Sequence, residues 1–379
     1  MRVIIYAMII SYAVVSVGCK STKEEGTLKD YPTIKLDLSN ESVFIRPDSL
    51  LGEKVIIPLE TTEESIIGEI NKLEIVHDTL YILDEDQNMI FLFDKTGKYI
   101  TRIDDVGRGP QEYLGIADFH IDDGIMYVAA DQNQKIFCYN LQGEFLYSFP
   151  VSGDFIQNIT TDSNYIYVYH NFFHPQNCNV AVYNKKDCTL HKQYKYYPPQ
   201  QDNSCYWRCA WTSCNNKVYA SFPYEYNIYQ LFPDTCKIIA TYDCGKKNMF
   251  PEEWSTFSVI QLEDYIKSKG GLNSPIASDI YDLFVTPKRL LFTFRYKSQE
   301  YVVFFNRQTQ KLHFGAFKRT LYHLNTSPII YVSDDYLVVP SDALSVIRLL
   351  DAMPEDAPER SLNIKEDDNP CLYFYKFKD

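Results

Sequence analysis

The chain has 379 residues, a formal net charge of −13, 45% hydrophobic residues and 15% aromatic ones, with 31 tyrosines among them. So much apolar material excludes a disordered body and suits a strand-rich core. The acidic balance, with no Lys/Arg stripe, excludes nucleic acid as a partner because a phosphate backbone would be repelled.

Met1 and Arg2 precede a mostly apolar run from Val3 to Val17. That run falls short of the ~20 apolar residues a membrane-crossing helix needs, so residues 1–18 read as a signal peptide. Ser16-Val17-Gly18-Cys19 resembles a bacterial lipobox, with Ser16 where Leu is usual. The resemblance implies that Cys19 is the lipid attachment residue; plain secretion with a coincidental cysteine is the alternative. Ser21-Thr22-Lys23-Glu24-Glu25 resembles the Lys-acidic-acidic signal that sends lipoproteins of Bacteroidetes to the cell surface. The expected address is therefore the outer membrane, reached through a lipid anchor. Residues 19–50 form the tether and lead-in, and 51–379 the folded body.

Within the body, Leu80-Tyr81-Ile82-Leu83-Asp84 and Ile90-Phe91-Leu92-Phe93-Asp94 flank a polar turn, and Lys95-Thr96-Gly97-Lys98 leads into Tyr99-Ile100. This spells strands joined by hairpins. Met126-Tyr127-Val128, Ile136-Phe137-Cys138-Tyr139-Asn140, Gly143 and Phe145-Leu146 repeat it 46 residues later. Further copies centre on Tyr167, Tyr219, Phe292 and Leu337, at separations of 40, 52, 73 and 45 residues. Six units with a period near 40–50 and several short strands each predict an all-β fold, a six-bladed β-propeller.

The long gap holds Pro251-Glu252-Glu253-Trp254, then Phe257, Leu262, Tyr265 and Ile266, and Gly270-Gly271. Proline and acids at the start and glycine after the end predict a short helical insertion, aromatic side down. A second helical insertion is expected from Ser341 to Ala352. The chain closes on Asn369-Pro370-Cys371-Leu372-Tyr373-Phe374-Tyr375, read as a strand of the last blade. Lys54-Val55-Ile56-Ile57-Pro58-Leu59 is expected to complete that blade and close the ring.

Residues 80–103 and 126–149 resemble NHL-type blades. With Leu59-Glu60-Thr61-Thr62, Gly107-Arg108-Gly109-Pro110-Gln111-Glu112-Tyr113 and the Asn369-Pro370 strand, residues 52–377 resemble the six-bladed propeller lipoproteins of Bacteroidetes. The resemblance implies the fold and little chemistry.

Two constellations are candidate ligand sites. Arg108 stands between two glycines that let the backbone turn sharply, with Glu112 and Tyr113 near enough to share a ligand; the structural alternative pairs Arg108 with a neighbouring blade. Trp207, Arg208 and Trp211 combine aromatic and guanidinium groups suited to sugar stacking or a protein hot spot, the alternative being packing between blades. Asp84-Glu85-Asp86-Gln87-Asn88 imitates the opening of a calcium loop. Met89 and Lys95 occupy the required Gly and Glu positions, so a solvated hairpin turn is expected.

Seven of the ten cysteines fall between Cys178 and Cys244. In an exported protein disulfides are the expected use, Cys178–Cys188 and Cys205–Cys214 being local options, while Cys138 and Cys371 read as buried small hydrophobes. His170 and His174 form a pair without a third metal ligand in view, and no metal or cofactor is expected. No Gly-x-Ser-x-Gly elbow occurs, and the seven histidines suggest no serine–histidine–acid set. The favoured function is thus a non-catalytic binding or scaffold protein for a glycan, a peptide or an outer-membrane partner. A hydrolase or lyase with carboxylates lining the central channel is the alternative, to be separated by what the channel contains.

Overall fold

The computed structural model describes residues 31–39, 44–197, 210–248, 254, 256–271, 276–278, 280–297, 299–317, 328–353, 359 and 362–378. The lead-in carries β1 (Thr33–Lys35) and β2 (Phe44–Ile45), followed by β3 (Leu51–Pro58). Six sheets then follow around a ring. Blade 1 holds β4 (Lys72–Val76), β5 (Thr79–Asp84), β6 (Met89–Asp94) and β7 (Tyr99–Ile103). Blade 2 holds β8 (Asp118–Asp122), β9 (Ile125–Ala130), β10 (Lys135–Asn140) and β11 (Phe145–Pro150). Blade 3 holds β12 (Asn158–Thr161), β13 (Tyr165–Tyr169), β14 (Cys178–Asn184) and β15 (Leu190–Tyr196). In blade 4, β16 (Ala210–Cys214), β17 (Lys217–Ser221), β18 (Asn227–Phe232) and β19 (Thr235–Asp243) are joined by β1; in blade 5, β20 (Ile280–Val285), β21 (Arg289–Tyr296), β22 (Gln299–Asn306) and β23 (Leu312–Phe317) are joined by β2. Blade 6 is β24 (Tyr331–Val332), β25 (Tyr336–Ser341), β26 (Cys371–Phe377) and β3.

The fold is the six-bladed propeller read from the period, and each of the six repeat centres falls on the second strand of its blade. These second strands are buried on both faces, which is why they read as continuous apolar runs. Strand alternation sends Tyr81 and Leu83 into the seam with blade 2, and Leu80 and Ile82 into the seam with blade 6. Each of the six seams holds its own cluster of buried side chains, the last joining Leu59, Val338 and Leu372 to Leu80 and Phe91. Burying each large apolar side chain contributes roughly 1.5–3 kcal/mol, so the ring is held seam by seam. A register shift recurs between the third and fourth strands of blades 1 to 4, adding the twist that lets flat sheets fan around an axis.

Ring closure follows the expected pairing, β26 lying antiparallel to β3 with Cys371 opposite Pro58 and Tyr375 opposite Lys54. The motifs at the two ends of the chain meet there. The Asn369 amide donates to Glu60 O at 2.9 Å and Ser65 O at 2.6 Å, and its Oδ1 accepts from Ile67 N at 2.9 Å. One buried side chain thus fixes the passage from the last blade to the first. The repeated hairpin glycine has a similar duty: Gly97 has φ +87°, and a Cβ there would sit 2.0 Å from Pro58 O.

The lead-in lies against the outer edges of blades 4 and 5, β1 parallel to β19 and β2 parallel to β23. Both inserted helices are present. Val259–Ser268 begins behind a Ser258–Gln261 capping box, several residues later than the Pro251 start expected, because a serine able to cap an exposed N–H defines the first turn. Leu262 packs on Phe172, Tyr197 and Tyr224, so this helix covers loops of blades 3 and 4. Ala343–Asp351 is capped by Asp342, whose side chain accepts from Ser345 N, and buries Val346, Leu349 and Leu350. Among the described residues, no helix is long and apolar enough to cross a membrane.

The cysteines depart from expectation. Cys138 and Cys371 are buried in their strands, but Cys178 and Cys188 are free, Cys178 opening β14 and Cys188 lying in the turn beyond its far end at Asn184, and Cys214 is free as well. A strand of seven residues is far too long for the Cα separation of about 4.4–6.8 Å that a disulfide tolerates. Cys19, Cys205 and Cys209 lie outside the described residues.

Candidate functional site

The first strands of the blades surround the axis and enclose a cavity of about 990 Å³. One mouth carries Glu85, Asp86 and Asp131 from hairpin turns; the other carries Asn215, Pro287 and Asp334. The sequence builds its wall by alternation. In β4, Leu73 and Ile75 point back to the blade 6 seam while Lys72 and Glu74 point toward blade 2. In β8, Phe119 and Ile121 close the seam with blade 1 while Asp118 and His120 point onward.

These polar side chains form a chain of contacts. Lys72 Nζ lies 2.8 Å from Asp118 Oδ1 and 3.3 Å from Glu74 Oε1, and also donates to Phe119 O. Asp118 Oδ2 accepts from Ile159 N of blade 3 at 2.9 Å. Glu74 Oε2 accepts from Ile121 N at 2.8 Å, and its Oε1 lies 2.9 Å from His120 Nδ1. Across the channel, His120 Nε2 is 3.3 Å from Ser213 Oγ on β16. A carboxylate therefore orients an imidazole whose other nitrogen faces a serine hydroxyl, which fixes the tautomer with the proton on Nδ1.

Burial opposes the charges of Lys72 and Glu74, yet their partners outweigh it. The Asp118 and Glu74 carboxylates raise the Lys72 pKa, and His120 and Lys72 lower that of Glu74. Thr160, on the strand between those bearing His120 and Ser213, lines the same cavity; it is 3% exposed and its Oγ1 has no hydrogen-bond partner among the described residues. The Oδ1 of Asn158, two residues earlier, is likewise buried without a partner among the described residues. Such groups are normally satisfied, so these two mark a stretch of wall whose hydrogen bonding is completed by water or by a bound group.

The residues singled out from sequence are dispersed. Arg108 is exposed at the apex of its loop, and Glu112 turns back to accept from Gly109 N at 2.7 Å. Tyr113 is fully buried, its hydroxyl donating to Asn88 O at 3.0 Å and its ring packed at 6.0 Å from Phe137. Ring and hydroxyl are both engaged inside the protein. Trp211 borders the cavity while packing 5.6 Å from Tyr169 in the seam between blades 3 and 4. Trp207 and Arg208 lie outside the described residues.

Asp84 is not solvated as the turn reading expected. It is fully buried and accepts from Gly68 N at 2.8 Å and Gln87 N at 3.0 Å, tying the entry loop to the hairpin. His170 and His174 have ring centroids 4.7 Å apart, and among the described residues no third ligand completes a metal group. Glu74, Asp118, His120 and Ser213 were not singled out from sequence. Their one signal is polar–apolar alternation in Lys72-Leu73-Glu74-Ile75 and Asp118-Phe119-His120-Ile121, which marks a strand with one wet face and leaves its neighbours unstated.

The model of a domain of unknown function, DUF4934, matches residues 37–376. A solved protein of Bacteroides fragilis whose description assigns it to export is similar at TM-score 0.72 and 16% identity, covering 92% of this chain and 99% of that one. A DUF4221 family member from Bacteroides vulgatus gives a TM-score of 0.55 at 14% identity, covering 87% of this chain and 97% of its own. At such identities the likeness shows the fold. No curated protein matches the chain.

Proposed function

The chain belongs to the DUF4934 family, named for a domain of unknown function, and from that premise we propose that it is an exported six-bladed propeller that binds a neutral or cationic glycan in its central channel. Export is supported by the signal-like residues 1–18 and by the description of the Bacteroides fragilis protein of like fold. Attachment to the outer membrane is through lipid on Cys19.

The observation that carries the ligand assignment is the channel wall: an open cavity lined by polar side chains, in which Thr160 Oγ1 and Asn158 Oδ1 are buried without partners among the described residues. Sugar hydroxyls supply the missing donors. Carboxylates at both mouths and along the wall repel anions, in keeping with the net charge of −13. Aromatic rings at the border, including Trp211 and Phe155, suit the apolar face of a pyranose.

A thermal-shift screen of the mature chain tests this. A ligand at about 100 times its Kd adds roughly 2.7 kcal/mol to native stability. Neutral and amino-sugar oligosaccharides are expected to raise Tm by several degrees and uronate-rich ones to leave it unchanged. A rise with uronates alone, or with none of the three, overturns the assignment. Retention of radioactive palmitate by a Cys19→Ala variant overturns the anchor.

A further inference from the structure

We infer that Ser213, His120 and Glu74 form a nucleophile–base–carboxylate relay in the central channel that cleaves carboxylic esters of the bound glycan, an inference resting on the channel being the ligand site. The three residues come from blades 4, 2 and 1, and the ring alone brings them together. Their order matches the chemistry. Glu74 Oε1 takes the Nδ1 proton of His120 as a hydrogen bond at 2.9 Å, leaving the Nε2 lone pair directed at Ser213 Oγ at 3.3 Å. That is a base within reach of a nucleophile and an orienting acid behind the base.

The surroundings support the same reading. The side chains of His120 and Glu74 are 13% and 14% exposed, so the imidazolium formed during reaction is stabilised in a water-poor site. Glu74 is held ionised by His120 and Lys72 despite its burial.

In the first half-reaction, Ser213 Oγ forms a bond to the ester carbonyl carbon as its proton passes to His120 Nε2. The carbon–alkoxy bond then breaks and the alkoxide takes that proton, leaving an acyl-serine. Water repeats the sequence, giving its proton to His120 and its oxygen to the acyl carbon, and the released Ser213 oxygen is reprotonated. The substrate class follows from the ligand: hydroxyl-rich glycans carry acyl groups as O-esters, whose alkoxide leaving group needs only the one proton His120 returns.

The test is covalent labelling of the mature chain with a fluorophosphonate probe, mapped by peptide mass spectrometry, alongside turnover of p-nitrophenyl acetate. A single adduct on Ser213 is expected, absent in Ser213→Ala. His120→Gln is expected to slow both reactions by about 10²–10⁴-fold with its melting temperature retained. Glu74→Gln, a positioning change, should slow them while altering their pH profiles. No adduct on folded wild-type protein, an adduct elsewhere only, or undiminished labelling of His120→Gln overturns the inference. Glycan binding without labelling removes this inference alone; labelling without glycan binding removes the glycan, as ligand and as the ester's carrier, and leaves the relay.

Discussion

Replacing Asn369 by Ala removes a side chain that is 4% exposed and holds three backbone groups of the 60–67 passage. Each such bond contributes about 1 kcal/mol net; Ala removes three of them, and although Glu60 O keeps the Ser65 hydroxyl at 2.7 Å, Ser65 O and Ile67 N lose the amide, so a loss of about 3 kcal/mol is expected. Asp is the sharper probe. It keeps the acceptor for Ile67 N but turns a carboxylate oxygen toward Glu60 O and Ser65 O, so it is expected to cost more than Ala, about 4 kcal/mol. Urea unfolding of the mature chain reads this as a shift in midpoint at constant slope. An Asp variant as stable as the Ala variant, or both within about 0.5 kcal/mol of wild type, refutes the view that this amide locks the ring.

Gly97→Ala forces a Cβ to within 2.0 Å of Pro58 O at φ +87° and should cost more than Gly124→Ala, whose φ of +76° is similar but whose Cβ meets nothing. The second change costs about 1–2 kcal/mol from backbone strain alone, and equal losses by urea unfolding contradict the contact. His170 has its pKa pushed down to about 4, chiefly by burial. A depressed histidine pKa means the unfolded chain binds the proton first, so the stability is full above the unfolded pKa of about 6.5 and falls as pH drops toward the folded value. About 2 kcal/mol should be lost between pH 7 and pH 5, and His170→Asn should flatten that slope; an unchanged slope contradicts it. Lys72→Met leaves Glu74 and Asp118 facing each other without a cation and should cost about 3 kcal/mol at neutral pH. Because the folded Glu74 pKa is lowered, its contribution is present above the unfolded carboxyl pKa and lost as pH falls through the folded value. The gap between variant and wild type should therefore begin to close below about pH 4, and a pH-independent gap contradicts it.

The propeller was legible because its core repeats. Tyr81, Tyr127, Tyr167, Tyr219, Phe292 and Leu337 mark second strands buried on both faces, where pattern and position coincide. Leu59-Glu60-Thr61-Thr62 and Asn369-Pro370 also carried the closure, since Asn369 is the residue that binds that stretch. The channel was not legible in the same way. Glu74, His120 and Ser213 are separated along the chain by 46 and 93 residues, and their meeting depends on the angle between blades, which no local spacing encodes. Arg108 and Tyr113 stood out because a Gly-Arg-Gly-Pro loop is conspicuous, yet Tyr113 is a seam residue. The cysteine cluster suggests bridges because the residues are close in sequence, whereas the length of β14 separates Cys178 at its start from Cys188 in the turn beyond its end.

The most direct measurement of the channel's role is calorimetric titration of a neutral oligosaccharide into wild type and Thr160→Val, a change that removes one hydroxyl and conserves shape. Binding about tenfold weaker in the variant is expected, the equivalent of one hydrogen bond at about 1.4 kcal/mol, with an unchanged melting temperature in the absence of sugar. Equal affinities, with both proteins folded, contradict a ligand seated against the Thr160 wall.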